Sequence, residues 1–276
     1  MSKLSSNLLI FSDLDGSLLD HDTYGWEAAR PWLERLARHR IPVIITTSKT
    51  AAEVEQLQCD LSLSHLPYIA ENGALIALPP DWHAHPAYPR KIFGADYAFI
   101  CARLHQLREK YAFSFSGFSD MDAAGVAELT GLSERDAELA RRREASEPIQ
   151  WLGDAASLTS FSRALTQMGL ALTQGGRFYH VMGKQVAKGK AADWIKTQYT
   201  DKHGTLAQTI GLGDGPNDVS LLCAMDNAVI IKGKGNQLVT LPESYAGRLY
   251  RTRAMGPSGW SEGLDYFIGS SGVWPV

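Results

Sequence analysis

Apolar positions in this 276-residue chain come in two patterns, short unbroken runs and longer stretches at helical spacing, and the two alternate. Leu8 to Phe11 run without interruption into Ser12, Asp13, Leu14, Asp15 and Gly16. An apolar run with no alternation suits a strand buried on both faces of a parallel sheet. Tyr24 to His39 then carries Trp26, Ala29, Leu33, Leu36 and Ala37 at helical spacing. Pro31 inside it implies a kink, or a helix that starts there. Ile41 to Thr47 is a second buried strand, ending in Thr46, Thr47, Ser48 and Lys49, and Ala51 to Leu61 is a helix. Tyr68 to Ala70 forms a third strand, followed by Glu71, Asn72 and Gly73. Strand, helix, strand, helix, strand predicts an α/β fold with a doubly wound, Rossmann-like and mostly parallel sheet.

The pattern changes at Pro79, Pro80, Pro86 and Pro89, a cluster that suits an exit from the sheet. Residues 87–186 read as an inserted α+β domain. Asp96 to Lys110 and Ser133 to Glu144 are its helices, the second opened by Ser133 and Asp136 as in a capping box. Ile149 to Leu152 and Arg177 to Met182 are strands. The Arg141 to Arg143 run reads as a solvated helix face, because acids are interleaved upstream. The first pattern resumes with a helix from Lys188 to Tyr199, a strand from Thr209 to Leu212, a helix from Val219 to Ala224 and a strand from Ala228 to Ile231. A turn at Met255 to Gly259 and a helix from Ser261 to Ile268 complete the chain. Residues 1–86 and 187–276 are thus expected to form one domain around the insertion.

A net charge of −3 offers no reason to expect nucleic acid or an anionic membrane as a partner. Cys59, Cys101 and Cys223 are odd in number and widely spaced, which fits free thiols and a cytoplasmic location rather than a disulfide framework. The first residues form too short an apolar run for a signal peptide, and no later run approaches a membrane span. Oligomeric state is not legible.

The polar residues at the ends of the predicted strands carry the chemistry. In open α/β sheets the carboxyl ends of the strands form the ligand crevice. Asp13, Asp15, Thr47, Lys188, Asp214 and Asp218 all stand at such ends or at helix starts. Converging carboxylates repel unless a cation sits among them, and hard oxygen donors suit Mg²⁺. A hydroxyl and an ammonium can hold phosphoryl oxygens, and an aspartate can attack phosphorus. A second carboxylate two residues along can give a proton to the leaving alcohol and later take one from water. An EF-hand reading fails, because the sixth loop position is Leu18 rather than glycine and the twelfth is Tyr24 rather than glutamate. A dinucleotide fingerprint fails at Pro216, and His83 and His85 read as a surface loop.

The ordered set DLDGSLL, a threonine after the second strand, KGKA at a helix start and GLGDGPND resembles the four signatures of the haloacid dehalogenase superfamily of phosphatases. ENGA after the third strand and the large insertion resemble its members with a cap of the second (C2) type. TTSKT, REASEPIQW, GGRFYHVMGK and GPSGW look like the mannosyl-3-phosphoglycerate phosphatase family, so the resemblance spans essentially the whole chain.

That resemblance implies a Mg²⁺-dependent phosphatase acting on a small phosphorylated sugar or glycerate. Asp13 would be nucleophile and metal ligand. Asp15 would be the acid/base and lend its main-chain carbonyl to the metal. Thr47 and Lys188 would hold phosphoryl oxygens, and Asp214 would complete the protein ligands with help from Asp218. Asn217 would contact phosphate or Lys188. Ser48, Lys49 and Asn72 are further phosphate or substrate candidates. In the cap, Arg177 could pair with a glycerate carboxylate and His180 with sugar hydroxyls, with Glu147 and Gln150 as further candidates. Ser17 stands where the superfamily commonly has threonine. Rival readings are another sugar phosphate or glucosyl-3-phosphoglycerate as substrate, a sugar phosphomutase, and a non-catalytic phosphoacceptor module. Asp15 and the cap argue against the last.

Overall fold

The structure is a computed structural model that describes residues 7–175, 178–234 and 239–269. The elements in chain order are β1 (Leu8–Ser12), α1 (Arg30–Arg38), β2 (Val43–Ile45), α2 (Ala51–Asp60), β3 (Tyr68–Ala70), β4 (Leu75–Ala77), β5 (Arg90–Ile92) and α3 (Tyr97–Tyr111). Then come β6 (Phe115–Gly117), α4 (Ala123–Thr130), α5 (Glu134–Arg141), β7 (Ser146–Trp151), α6 (Ala155–Gln167), β8 (Leu170–Gly175) and β9 (Phe178–Gly183). The chain closes with α7 (Lys188–His203), β10 (Gln208–Gly213), α8 (Val219–Cys223), β11 (Asn227–Ile230), β12 (Arg248–Arg251) and α9 (Gly256–Ile268).

Contacts divide the chain into two compact units. The first comprises residues 1–47, 66–68 and 187–276, and the second comprises residues 48–65 and 69–186. The second unit therefore takes in residues 48–65 and 69–86 in addition to the expected insertion.

In the first unit a five-stranded parallel sheet has the order β12-β11-β10-β1-β2. β1 and β11 are buried along their whole length and β10 from Thr209 onward, as uninterrupted apolar runs require when both faces are covered. From β1 the chain adds β2 on one side and, after the insertion, β10 on the other. Strand order reverses at β1, and such a switch point opens a crevice at the carboxyl ends of its neighbours. α1 starts at Arg30, with Pro31 in its first turn and a short 3-10 turn before it. This realises the second of the two options that proline left open.

The second unit holds two sheets. β3, β4 and β5 make a three-stranded sheet, so β3 does not extend the parallel sheet as the alternation predicts. The other sheet has the order β6-β7-β9-β8 and is antiparallel throughout. Phe115, Ile149, Phe161, Leu165 and Val181 form its core with Ile100, Leu104 and Leu107 of α3. Ser133 caps α5 by accepting a bond from the Asp136 N–H. α4 and α6, absent from the sequence reading, each begin at an aspartate cap, Asp122 and Asp154. Among the described residues no helix is long and apolar enough to cross a membrane.

Candidate active site

Register alone assembles the crevice in the first unit. Ser12 pairs with Leu212 on one side and with Ile45 on the other. The residues that follow each strand therefore emerge at one sheet edge: Asp13, Thr46 with Thr47, and Gly213 with Asp214. The Asp13 N–H donates to the Leu212 carbonyl (2.9 Å) and the Thr46 N–H to the Ser12 carbonyl (2.8 Å), extending the ladder to the rim.

Gly16 shows why the turn after β1 has no side chain. Its φ is +79°, a conformation that favours glycine, and an added Cβ would lie 2.5 Å from Asp214 Oδ2. The loop after β10 thus closes onto the loop after β1. Gly213 is equally tight, because a Cβ there would lie 2.5 Å from the Asp218 Cβ.

Lys188, first residue of α7, is 1% exposed and its Nζ stands 2.7 Å from both Asp13 Oδ1 and Asp218 Oδ1. The other Asp218 oxygen accepts the N–H groups of Asp214 (3.1 Å) and Gly215 (3.0 Å). Asp218 is therefore fully engaged in holding Lys188 and the loop after β10. Carboxylate oxygens of Asp13, Asp214 and Asp218 lie within 4.8 Å of one another. The Asp15 carboxylate is not part of that group, though it is near enough to raise Asp214.

The electrostatics follow from three carboxylates, Asp13 and Asp218 buried and Asp214 half-buried, facing one ammonium. Burial, then Asp218, pushes Asp13 well above the usual carboxylate range, against the pull of Lys188. Burial, then Asp218, raises Asp214 to about 7. Burial alone would lower Lys188, but Asp13 and Asp218 outweigh it and hold the ammonium above its ordinary value. The cluster is short of positive charge, and all its donors are hard oxygens. Those two facts fit a small divalent cation such as Mg²⁺.

Thr47 is buried at the end of β2, and Asn217 is half-buried in the 3-10 turn Pro216–Asp218. Four candidates belong to the second unit. The Ser48 carbonyl accepts from Arg143 Nη1 (2.9 Å), and Lys49 pairs with Glu53 (3.5 Å). Asn72 is buried in a left-handed conformation (φ 57°), and neither polar atom of its side chain has a hydrogen-bond partner among the described residues. His180 is buried on β9 in register with Pro148 and Thr173. Arg177 lies outside the described residues.

Two groups escaped the sequence reading. Glu71 is fully buried, and its carboxylate accepts the N–H of Glu144 (2.8 Å), the N–H of Ala145 (3.1 Å) and the hydroxyl of Ser146 (2.6 Å). Arg143 lies not on a solvated face but against the carbonyls of Ser48 and Ala140. The sequence signal for the first was Asn72-Gly73 right after the third strand, since both residue types tolerate the left-handed backbone that the structure shows from Glu71 to Gly73. The charge run hid the second. Glu147 is turned into its own unit, where Tyr97 Oη (2.8 Å) and the Ser119 N–H (2.7 Å) donate to it.

Residues 10–123 match the family of haloacid dehalogenase-like hydrolases. Among solved structures the fold is similar to Thermoplasma acidophilum 0175, with a TM-score of 0.66 and 15% identity over 94% of this chain and 97% of that one. It is similar to the subclass IIB sugar phosphatase BT4131, with a TM-score of 0.64 and 18% identity over 94% and 98%. It is also similar to the sucrose-phosphatase of Synechocystis sp. PCC6803, solved with sucrose and phosphate, with a TM-score of 0.62 and 16% identity over 94% and 97%. The α/β fold, a mostly parallel central sheet accompanied by antiparallel ones, matches that of these structures.

Proposed function

We propose that the protein is a Mg²⁺-dependent phosphatase of the haloacid dehalogenase superfamily that hydrolyses mannosyl-3-phosphoglycerate to mannosylglycerate and phosphate. The observation that carries the phosphatase reading is the buried Lys188 ammonium held 2.7 Å from both Asp13 and Asp218 at the rim of a parallel sheet. An ammonium beside a carboxylate suits phosphoryl transfer, where most of the work is to position the reactants and neutralise charge.

Lys188 takes Oδ1 of Asp13 and so fixes the carboxylate, leaving Oδ2 to attack phosphorus. As that bond forms, the bond from phosphorus to the sugar or glycerate oxygen breaks, and Asp15 gives the leaving oxygen a proton. Water then attacks phosphorus of the aspartyl-phosphate, Asp15 takes its proton, and Asp13 is regenerated as phosphate departs. Thr47 and Lys188 hold the phosphoryl oxygens, with Asn217 beside them. Asp13 and Asp214, with the main-chain carbonyl of Asp15, are the residues that would hold Mg²⁺. Asp218 supports them while bonded to Lys188. When bound, the ion supplies charge neutralisation for the transferring group.

Residues 1–86 and 187–276 are the proposed core and 87–186 the proposed cap. Ser48, Lys49, Asn72, Arg177 and His180 are proposed substrate contacts. The substrate reading is supported by the TTSKT, REASEPIQW, GGRFYHVMGK and GPSGW motifs. The similarity to the sucrose-phosphatase and to BT4131 favours a second reading, in which another sugar phosphate is the substrate.

A panel of phosphorylated sugars and glycerates with Mg²⁺, ranked by kcat/KM from phosphate release, tests both. Mannosyl-3-phosphoglycerate should lead the ranking. A different leading sugar phosphate overturns the substrate reading, and no release from any compound or from an aryl phosphate overturns the phosphatase reading.

A further inference from the structure

The GPSGW segment near the carboxyl end has no part in the chemistry above, yet it reaches the carboxyl end of the strand that leads into Asp13. The Met255 to Gly259 stretch, expected as a turn, is the start of α9, with Pro257 in the first turn where proline is favoured. α9 lies close against β11: a Cβ on Gly263 would come within 2.5 Å of Val229 Cγ1, and one on Gly259 within 3.0 Å of Ile231 Cγ2. Only a helix with these two bare positions can sit so near the sheet, and that approach carries Trp260 beneath β1. The indole is completely buried.

Its Nε1 donates to Ser12 Oγ (2.9 Å), and Ser12 Oγ donates in turn to the main-chain carbonyl of Asp13 (2.7 Å). Ser12 is itself fully buried, and its own carbonyl accepts from Thr46. The peptide between Asp13 and Leu14 is thus fixed by a two-bond relay that begins on the last helix. The Asp13 N–H is fixed from the other side by Leu212.

We propose that Trp260 and Ser12 are positioning residues for Asp13, a relay from α9 that sets the orientation of the nucleophile's carboxylate; the assignment rests on the phosphatase reading. The physical basis is that a reacting atom must be held in a near-attack geometry, so small displacements of Asp13 lower the rate of the chemical step while leaving substrate binding largely intact. Two hydrogen bonds in series are coupled, because the Trp260 N–H orients the Ser12 hydroxyl that donates to the Asp13 carbonyl, beside a longer bond from the Leu18 N–H (3.4 Å).

The test uses the full-length protein, an aryl phosphate and Mg²⁺, with Trp260→Phe, Ser12→Ala and the double variant. Trp260→Phe keeps most of the buried ring and loses only the donor, and Ser12→Ala keeps the fold should the tryptophan change not. Each single variant is expected to lower kcat about tenfold with KM within about twofold, and the double variant to fall no further than Ser12→Ala alone. The proposal is overturned by kcat within about twofold of wild type in the single variants, by losses that multiply in the double variant, or by a change confined to KM. Mg²⁺ affinity by titration calorimetry provides a readout independent of turnover. It should weaken severalfold in both single variants, because Asp13 also serves as a ligand. Wild-type protein that binds Mg²⁺ but releases no phosphate would fail the phosphatase reading alone. Unchanged Mg²⁺ affinity in the variants would then fail the relay.

Discussion

Lys188 Nζ lies 2.7 Å from Asp13 Oδ1, and both side chains are removed from water. An ammonium buried this way is retained by its carboxylate partners, and removing it leaves Asp13 and Asp218 facing each other without compensation. Lys188→Met is expected to destabilise the metal-free protein by about 3–5 kcal/mol. With Mg²⁺ present it should reduce kcat by about 10²–10³-fold. Urea unfolding and phosphate release measure the two effects. Arginine should not restore activity, because its planar fork cannot replace a point donor between two carboxylates.

Removal of Mg²⁺ should act on stability as well as on turnover. The three carboxylates of Asp13, Asp214 and Asp218 meet within 4.8 Å, and a dication there relieves their repulsion only in the folded state. At a hundredfold excess over its dissociation constant the ion should add about 2.7 kcal/mol to stability, seen as a rise in Tm. EDTA should abolish both the rise and phosphate release. Asp214→Asn should blunt the rise while keeping the fold.

Glu71 makes a different kind of contribution. It accepts two main-chain N–H groups and one hydroxyl from residues 144–146 inside the second unit. Glu71→Ala strands those donors and should cost about 3 kcal/mol in chemical denaturation, whereas Glu71→Gln should cost less than half of that. A loss under about 0.5 kcal/mol for the alanine variant would contradict this role.

Glu147 gives the second unit a pH dependence. Burial raises its carboxyl above the usual value, partly offset by the Ser119 and Tyr97 donors. The folded protein therefore binds the proton more tightly than the unfolded chain. The sign follows: the contribution is fully present below the unfolded value near 4.5 and is lost as pH rises through the higher folded value. Wild type minus Glu147→Gln stability should fall as pH rises above about 4.5, as followed by urea midpoints. A difference independent of pH would contradict it.

Much of the site could be read from residues 8–19 and their counterparts because a parallel sheet is strict about burial. Unbroken apolar runs at Leu8, Val43 and Ile210 end in polar residues, and register then brings those ends to one edge. What stayed hidden depends on tertiary contact. Gly16 reads as a turn residue, and only the fold shows that Asp214 needs its missing side chain. β3 has the composition of a core strand yet pairs with β4, because its edge partners are set by the chain that follows it. α6 carries Leu158, Phe161 and Leu165 at helical spacing, but among serines and threonines, and it opens at the aspartate cap Asp154. Met255 to Gly259 reads as a turn because Gly256, Pro257 and Gly259 are punctuation in sequence, while in the fold they let the helix begin and approach the sheet.

In the proposed mechanism Asp13 carries the phosphoryl group during turnover, and that adduct can be trapped. Enzyme turning over an aryl phosphate with Mg²⁺ is quenched in acid, reduced with borohydride and mapped by peptide mass spectrometry. An aspartyl-phosphate at position 13 is reduced to homoserine, so homoserine is expected there, absent without substrate and absent in Asp13→Asn. Steady turnover with residue 13 recovered as unmodified aspartate, together with undiminished activity in Asp13→Asn, would contradict it.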